Sequence, residues 1–154
     1  MTDINALREL LGITDAPLVR EGLTAAAAFF ENTLRQDPVN WISYLRGIDF
    51  HKTVRIVALP RGTRLVRYDS TGNRTLKPFA YYTKPGVSQS ILGTNFPSVD
   101  FKEFEITRSV QALMSTASGV RFGPGDRVSR LGGGVQYIIG LQDAPALVRV
   151  GTKP

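Results

Sequence analysis

The sequence predicts an α+β fold, with helices at the amino terminus and a β core behind them. Two observations predict it. Helix caps and helical apolar spacing are confined to residues 1–52, the helical part. From Thr53 onward, over residues 53–154, short alternating or β-branched segments follow one another between turns rich in Gly and Pro. Strands do not alternate with helices, so a parallel doubly wound sheet is disfavoured and an antiparallel or mixed sheet is expected. A chain of 154 residues with 42% hydrophobic and 21% charged residues has room for a single domain with a real core.

In the helical part, Asp3 is placed to cap a helix running to about Leu11, with Leu7, Leu10 and Leu11 on one face and Gly12 ending it. Thr24 is placed to cap a second helix, Ala25–Arg35, stopped before Pro38. Asn40 is placed to cap a short third helix, with Trp41, Tyr44 and Leu45 on one face. Aromatic and apolar residues at that spacing read as core, although Trp41 is also a candidate for stacking on a ligand.

In the β part, Val54–Leu59 and Thr63–Tyr68 read as strands joined by a Pro60-Arg61-Gly62 turn. Residues 69–73 read as a loop. Phe79–Thr83 is a third strand, closed by Lys84-Pro85-Gly86, and Phe101–Arg108 a fourth. Periodicity leaves Val110–Ala117 open between strand and short helix. Residues 121–131 form a Gly- and Arg-rich loop, and Val135–Leu141 and Ala146–Val150 are the last strands.

Composition excludes several chemistries. With no cysteine there are no disulfides, no cysteine-ligated zinc and no thiol catalysis. A single histidine, His51, argues against a multi-histidine metal site, and no metal is expected. There is no apolar run of about 18 residues and no basic segment leading into an apolar one, so neither a membrane span nor an ordinary secretory signal is expected. Charge is uneven. Residues 1–52 carry 5 Lys/Arg against 7 Asp/Glu, whereas residues 53–154 carry 14 against 6. A basic β part suits an anionic ligand, a nucleotide or a nucleic acid. Without a block of five Lys/Arg, a nucleic-acid tail is unsupported.

The stretch richest in site character is Gly132-Gly133-Gly134-Val135-Gln136-Tyr137-Ile138-Ile139. Glycines allow another backbone or a flat ligand to come close, and a Gln beside that gap can bond a sugar hydroxyl or an amide. A strand follows the glycines rather than a helix, so this is neither a dinucleotide fingerprint nor a phosphate loop. Arg67 on an early strand, Tyr81 or Tyr82 on a middle one and Gln136 on a late one form the layout of ADP-ribosyltransferase-like folds. There the cation neutralises pyrophosphate or fixes a ribose, the ring stacks on nicotinamide, and the late side chain holds the ribose as oxocarbenium character develops. A Gln lining such a cleft supports no packing, so its loss should leave thermal stability nearly unchanged.

Five stretches in register carry a family resemblance: Arg46–Phe50, Leu59–Leu65, Tyr81–Gly86, Thr107–Ala117 and Gly132–Tyr137. In this order they resemble the bacterial polymorphic toxin type 46 domain, whose best-known members are NAD(P)+ glycohydrolase effectors delivered by the type VI secretion system. The Gly-Gly-Gly-x-Gln-Tyr ending is also similar to the tuberculosis necrotizing toxin family, another NAD+ glycohydrolase. The resemblance implies an ADP-ribosyltransferase-like fold with an NAD cleft and hydrolysis of the nicotinamide–ribose bond, with NAD+ or NADP+ as substrate and no cofactor.

It also implies a toxin domain cut from a longer effector with delivery modules, acting in the cytoplasm of a competing bacterial cell. A cognate immunity protein is the implied partner; because the β part is basic, that partner is expected to be acidic and to occlude the active site. Gln136 stands where many transferases have Glu, which favours hydrolysis over modification of a protein nucleophile. Asp126, in Gly125-Asp126-Arg127, is either a turn residue or a carboxylate for the ribose or the attacking water.

The candidate catalytic residues are therefore Gln136, Asp126 and Tyr82. The candidate substrate-binding residues are Arg67, Arg64, Tyr68, Tyr81, Thr83, Arg108, Ser115, Gly133 and Gly134. Strand alternation sets Arg64 and Arg67 on opposite faces and favours Arg67 for the phosphates. Competing readings are a protein ADP-ribosyltransferase toxin, a basic nuclease toxin and a binding module without catalysis. The single histidine and scattered carboxylates make a weak nuclease set.

Overall fold

The computed structural model describes residues 3–34, 45, 48–70, 79–86, 99–117, 120–121, 129–130 and 133–150. Within them, helices α1 (Ile4–Leu11) and α2 (Pro17–Leu34) precede nine strands. These are β1 (Arg55–Leu59), β2 (Arg64–Ser70), β3 (Phe79–Tyr82), β4 (Val99–Ile106), β5 (Val110–Thr116), β6 (Val120–Arg121), β7 (Ser129–Arg130), β8 (Val135–Gly140) and β9 (Leu147–Val150). A 3-10 helix, Leu141–Ala146, links the last two long strands. One sheet has the order β1-β5-β8-β3, a second β2-β4-β9, and β6 and β7 form a two-stranded ladder. Every strand pairing among the described residues is antiparallel.

Local chemistry accounts for the ends of the elements. The Asp3 carboxylate accepts from the backbone N–H of Asn5 and Ala6, satisfying donors that α1 cannot pair internally. Gly12 closes α1 in the left-handed region, at φ 67°, and its N–H returns to the carbonyls of Arg8 and Glu9. The second helix begins at Pro17, earlier than the cap expected at Thr24. Proline is well suited to a first helical position, where no N–H is needed. The Thr24 hydroxyl instead donates to the Arg20 carbonyl, 2.8 Å away, one turn back along the same helix. Asp15 and Asn5 both accept from the Arg20 guanidinium, which ties the two helices together.

The turn at Pro60-Arg61-Gly62 is as expected, with Gly62 at φ 91° and the Thr63 N–H bonded to the Pro60 carbonyl at 3.1 Å. Asp69 and Ser70, expected in a loop, extend β2 opposite Asp100 and Val99. Their backbones complete a ladder that composition alone does not reveal. Val110–Thr116 is a strand, which resolves the ambiguity there, and the short β6 and β7 lie within or beside the expected loop. Of the third predicted helix only Leu45 is described, and it is buried; Asn40, Trp41 and Tyr44 lie outside the described residues.

The first sheet is covered on both faces. Val19, Leu23, Ala26, Ala27 and Phe30 of α2 and Leu7 of α1 pack with Leu113 of β5 and Ile138 of β8. Alternation sends Ala112, Tyr137 and Ile139 the other way, against Leu65, Phe104 and Ile106 of the second sheet. Strand β8 is accordingly buried along nearly its whole length. Among the described residues no helix is long and apolar enough to cross a membrane.

Gly22 shows how tightly α2 is seated. A Cβ there would lie 3.0 Å from Phe50 Cδ1 and 3.2 Å from Val54 Cβ. Gly22→Val should therefore overpack this contact and lower unfolding free energy by about 1–3 kcal/mol. Leu10 is 56% exposed, and Leu10→Ala should change stability by no more than about 0.5 kcal/mol. Chemical denaturation of both variants checks the contrast.

Candidate functional site

Among the described residues, the core contains three buried polar side chains: Thr83, Ser115 and Gln136. All three lie at one end of the first sheet. Ser115 and Gln136 are cross-strand partners, so their side chains share a face. Tyr82 is opposite Tyr137, which brings Thr83, the next residue, alongside Gln136. Gln136 Nε2 donates to Ser115 Oγ at 3.2 Å. Thr83 Oγ1 donates to the Val135 carbonyl at 2.7 Å and so holds the start of β8. Hydroxyl and amide groups are the kind that survive burial when they satisfy one another.

The glycines before β8 extend its ladder. Gly133 N–H donates to the Ala117 carbonyl at 2.9 Å, and Ala117 N–H donates to the Gly134 carbonyl at 2.8 Å. Gly133 sits at φ 94°, and a Cβ there would meet nothing within 4 Å, so its need for glycine is conformational rather than steric.

Gln136 is 2% exposed. This corrects the expectation of a side chain that merely lines a cleft. Removing a buried amide deprives Ser115 of a hydrogen bond, so stability should respond.

Tyr82 faces the other way. It pairs with Tyr137, the immediate neighbour of Gln136 in β8, so Tyr82 and Gln136 point to opposite faces of the β3–β8 pair. On its own face Tyr82 joins the packing between the sheets. Arg67 Nη1 donates to Tyr82 Oη at 3.2 Å. The Arg67 guanidinium carbon lies 5.6 Å from the Tyr82 ring centre and 5.4 Å from that of Phe104. The two rings meet edge to face at 5.8 Å. A half-buried guanidinium held by two aromatic rings has a fixed direction. Phe104 is absent from the residues expected at the site; its central place in the alternating Phe101–Arg108 segment is the signal that could have found it.

The remaining candidates are dispersed. Arg64 is on the opposite face of β2 from Arg67. It bonds Glu105 through Nε and Glu103 through Nη1, both at 3.0 Å. The hydrogen bond to Glu103 is the main cause holding its pKa above the ordinary arginine value, with Glu105 adding to it. Arg108 lies beyond the opposite end of β5 from Ser115, with Nη2 3.4 Å from an Asp143 oxygen. It borders an open depression of about 350 Å³ that also takes in Phe29, Gln111 and Gln142. Tyr68 is paired in β2 with Phe101, and Tyr81 in β3 with Ile138. Asp126 lies outside the described residues.

Comparison with known proteins converges on one family. The model of the family described as bacterial toxin 46 matches residues 14–122. A curated relative, the NAD(P)(+) glycohydrolase toxin Tse6 of Pseudomonas aeruginosa, is 31% identical over 118 residues, covering 70% of this chain and 27% of that protein. The chain thus spans about a quarter of that relative's length. A solved structure of Tse6 in complex with Tsi6 matches with a TM-score of 0.69 at 24% identity, over 90% of this chain and 100% of the other. The helices and antiparallel sheets described above are therefore an architecture shared with that structure. The chain belongs to the bacterial toxin 46 family.

Proposed function

We propose that this domain is an NAD(P)+ glycohydrolase toxin that depletes the dinucleotide pool of a competing bacterial cell. The observation that carries the proposal is the 31% identity over 118 residues to a toxin of that activity. The buried Thr83–Gln136–Ser115 group and the half-buried Arg67 support it, because both offer polar groups fixed in direction at a basic domain's core.

The reaction asks little of a general acid. The nicotinamide ring of the substrate is cationic, so it departs as a neutral molecule, taking the electron pair of the C–N bond. Water forms the new bond to the ribose carbon and releases one proton to solvent. The barrier lies in the positive charge that builds on the ribose, and fixed dipoles are suited to stabilising it. The Gln136 amide supplies such a dipole without the desolvation cost of a buried carboxylate. Arg67 is the candidate for the pyrophosphate, and an ADP-ribosyltransferase-like cleft is the proposed setting. Asp126 is retained as the candidate for orienting water.

In the cell, the domain acts in the cytoplasm of the target as part of a secreted effector, and an acidic immunity protein occludes its site in the producing cell. Opposite charges should make that association fast and salt-sensitive. NAD(P)+ should be excluded from the inhibited complex.

Three outcomes test the reading. Purified protein should convert NAD+ to nicotinamide and ADP-ribose, followed by chromatography. Unchanged NAD+ with degraded RNA or DNA would replace the reading with a nuclease, and label transferred to protein would replace it with a transferase. Gln136→Ala should lower kcat by roughly 10²-fold through loss of a transition-state interaction, and lower stability by about 1–3 kcal/mol through loss of the Ser115 bond. A variant that melts earlier yet turns over normally would make Gln136 purely structural. Arg67→Ala should raise KM more than Arg64→Ala, because Arg64 stands on the other face of β2, away from Tyr82 and Phe104; the reverse order would reassign the phosphate site.

A further inference from the structure

We propose that the open edge of β1 is a docking site for an extended acidic segment of a protein partner, which joins the first sheet as an added strand. β1 ends the order β1-β5-β8-β3, and among the described residues it pairs with β5 alone. On its other side no backbone hydrogen bond is made to any of them. A strand so placed turns alternate N–H and C=O groups outward, a template on which another strand can pair. Arg55, Ile56 and Ala58 are exposed along it, Ile56 to 37%.

The two faces of this edge call for different side chains. Ile56 and Ala58 lie opposite Leu113 and Gln111, on the face that α2 covers. Ile56 also borders the depression of about 350 Å³, where Phe29 offers apolar surface and Asn32 and Gln111 offer amides. An apolar side chain of the added strand suits that side. Arg55 and Val57 lie opposite Met114 and Ala112, on the other face. A carboxylate suits the place beside Arg55.

Charge selects the occupant. From His51 to Tyr68 the chain carries Lys52, Arg55, Arg61, Arg64 and Arg67 and no carboxylate. Lys52, Arg55 and Arg61 are exposed, and no ion pair among the described residues takes up any of the three. Two copies of the chain meeting through this edge would gather these cations with no counter-charge, which disfavours self-pairing and favours an acidic partner. The fitting segment therefore alternates carboxylates with β-branched residues. Binding is read without turnover, so the docking site stands or falls apart from the glycohydrolase reading.

The probe is a peptide of alternating Glu and Val, about ten residues long so that it spans β1 and its flanks, titrated into the chain and followed by nuclear magnetic resonance and fluorescence anisotropy. It should bind saturably, shift the amides of Arg55–Leu59 and slow hydrogen exchange at the outward N–H groups of β1. The same peptide methylated at its four central nitrogens, which blocks both of its edges, should bind at least about tenfold more weakly. Arg55→Glu should weaken binding of the Glu peptide about fivefold and favour a peptide of alternating Lys and Val. Should that variant fail to fold, Lys52→Glu with Arg61→Glu gives the same comparison at exposed positions. Absence of binding, shifts confined to the surroundings of Arg67 and Gln136, or equal binding of the methylated or Lys peptide to the parent protein would each overturn the proposal. A dimer in sedimentation that Ile56→Glu disperses would assign the edge to a second copy and overturn it as well.

Discussion

Two backbone hydrogen bonds between Val66 and Thr83, at 2.7 and 2.9 Å, join the two sheets and fix everything built at their junction. Val66 belongs to β2 of the three-stranded sheet, and Thr83 follows directly on β3 of the four-stranded one. Tyr82 and Thr83 are consecutive, so they point in opposite directions. One reaches Arg67 and Phe104 between the sheets, and the other reaches Val135 beside Gln136. A slip of one residue at this bridge would exchange those two environments, seating a hydroxyl among rings and a ring among hydroxyls. The apolar packing on both faces of the first sheet resists such a slip.

Among the described residues this arrangement sets apart two polar centres. The Thr83–Gln136–Ser115 group is neutral and buried. The Arg67 centre is cationic and half-buried, wrapped by aromatic rings. For a dinucleotide the division is chemically sensible. On the proposed reading the neutral dipoles serve the ribose, where positive charge would develop, and the cation serves the phosphates, where negative charge is permanent. A basic β part around both adds attraction at longer range. The inverse allocation would set a cation beside a developing cation.

Much of this is legible in the residues. Alternation and turn chemistry locate β1 to β4, and Asp3 and Gly12 bracket α1 as their capping preferences require. Gln136 stands out because an amide among apolar strand residues needs a partner, and the structure supplies Ser115. The opposite faces of Arg64 and Arg67 follow from strand period alone. What is not legible depends on distant segments. The register Tyr82 to Tyr137, which separates Tyr82 from Gln136, is set by pairing between strands over fifty residues apart. The burial of Gln136 likewise depends on packing that no local pattern encodes. Thr24 misleads because a threonine hydroxyl serves equally as an N-cap and as a donor to its own helix.

Whether the chemistry occurs at the sheet end formed by Thr83, Gln136 and Ser115 is tested most directly by a crystal structure of the Gln136→Ala variant with NAD+ bound. The slowed variant should retain intact substrate. The nicotinamide ribose is expected at that sheet end, over the space vacated at position 136, with the pyrophosphate toward Arg67. Substrate ordered instead in the depression beside Arg108 and Gln142, with no ribose near residue 136, would contradict this assignment.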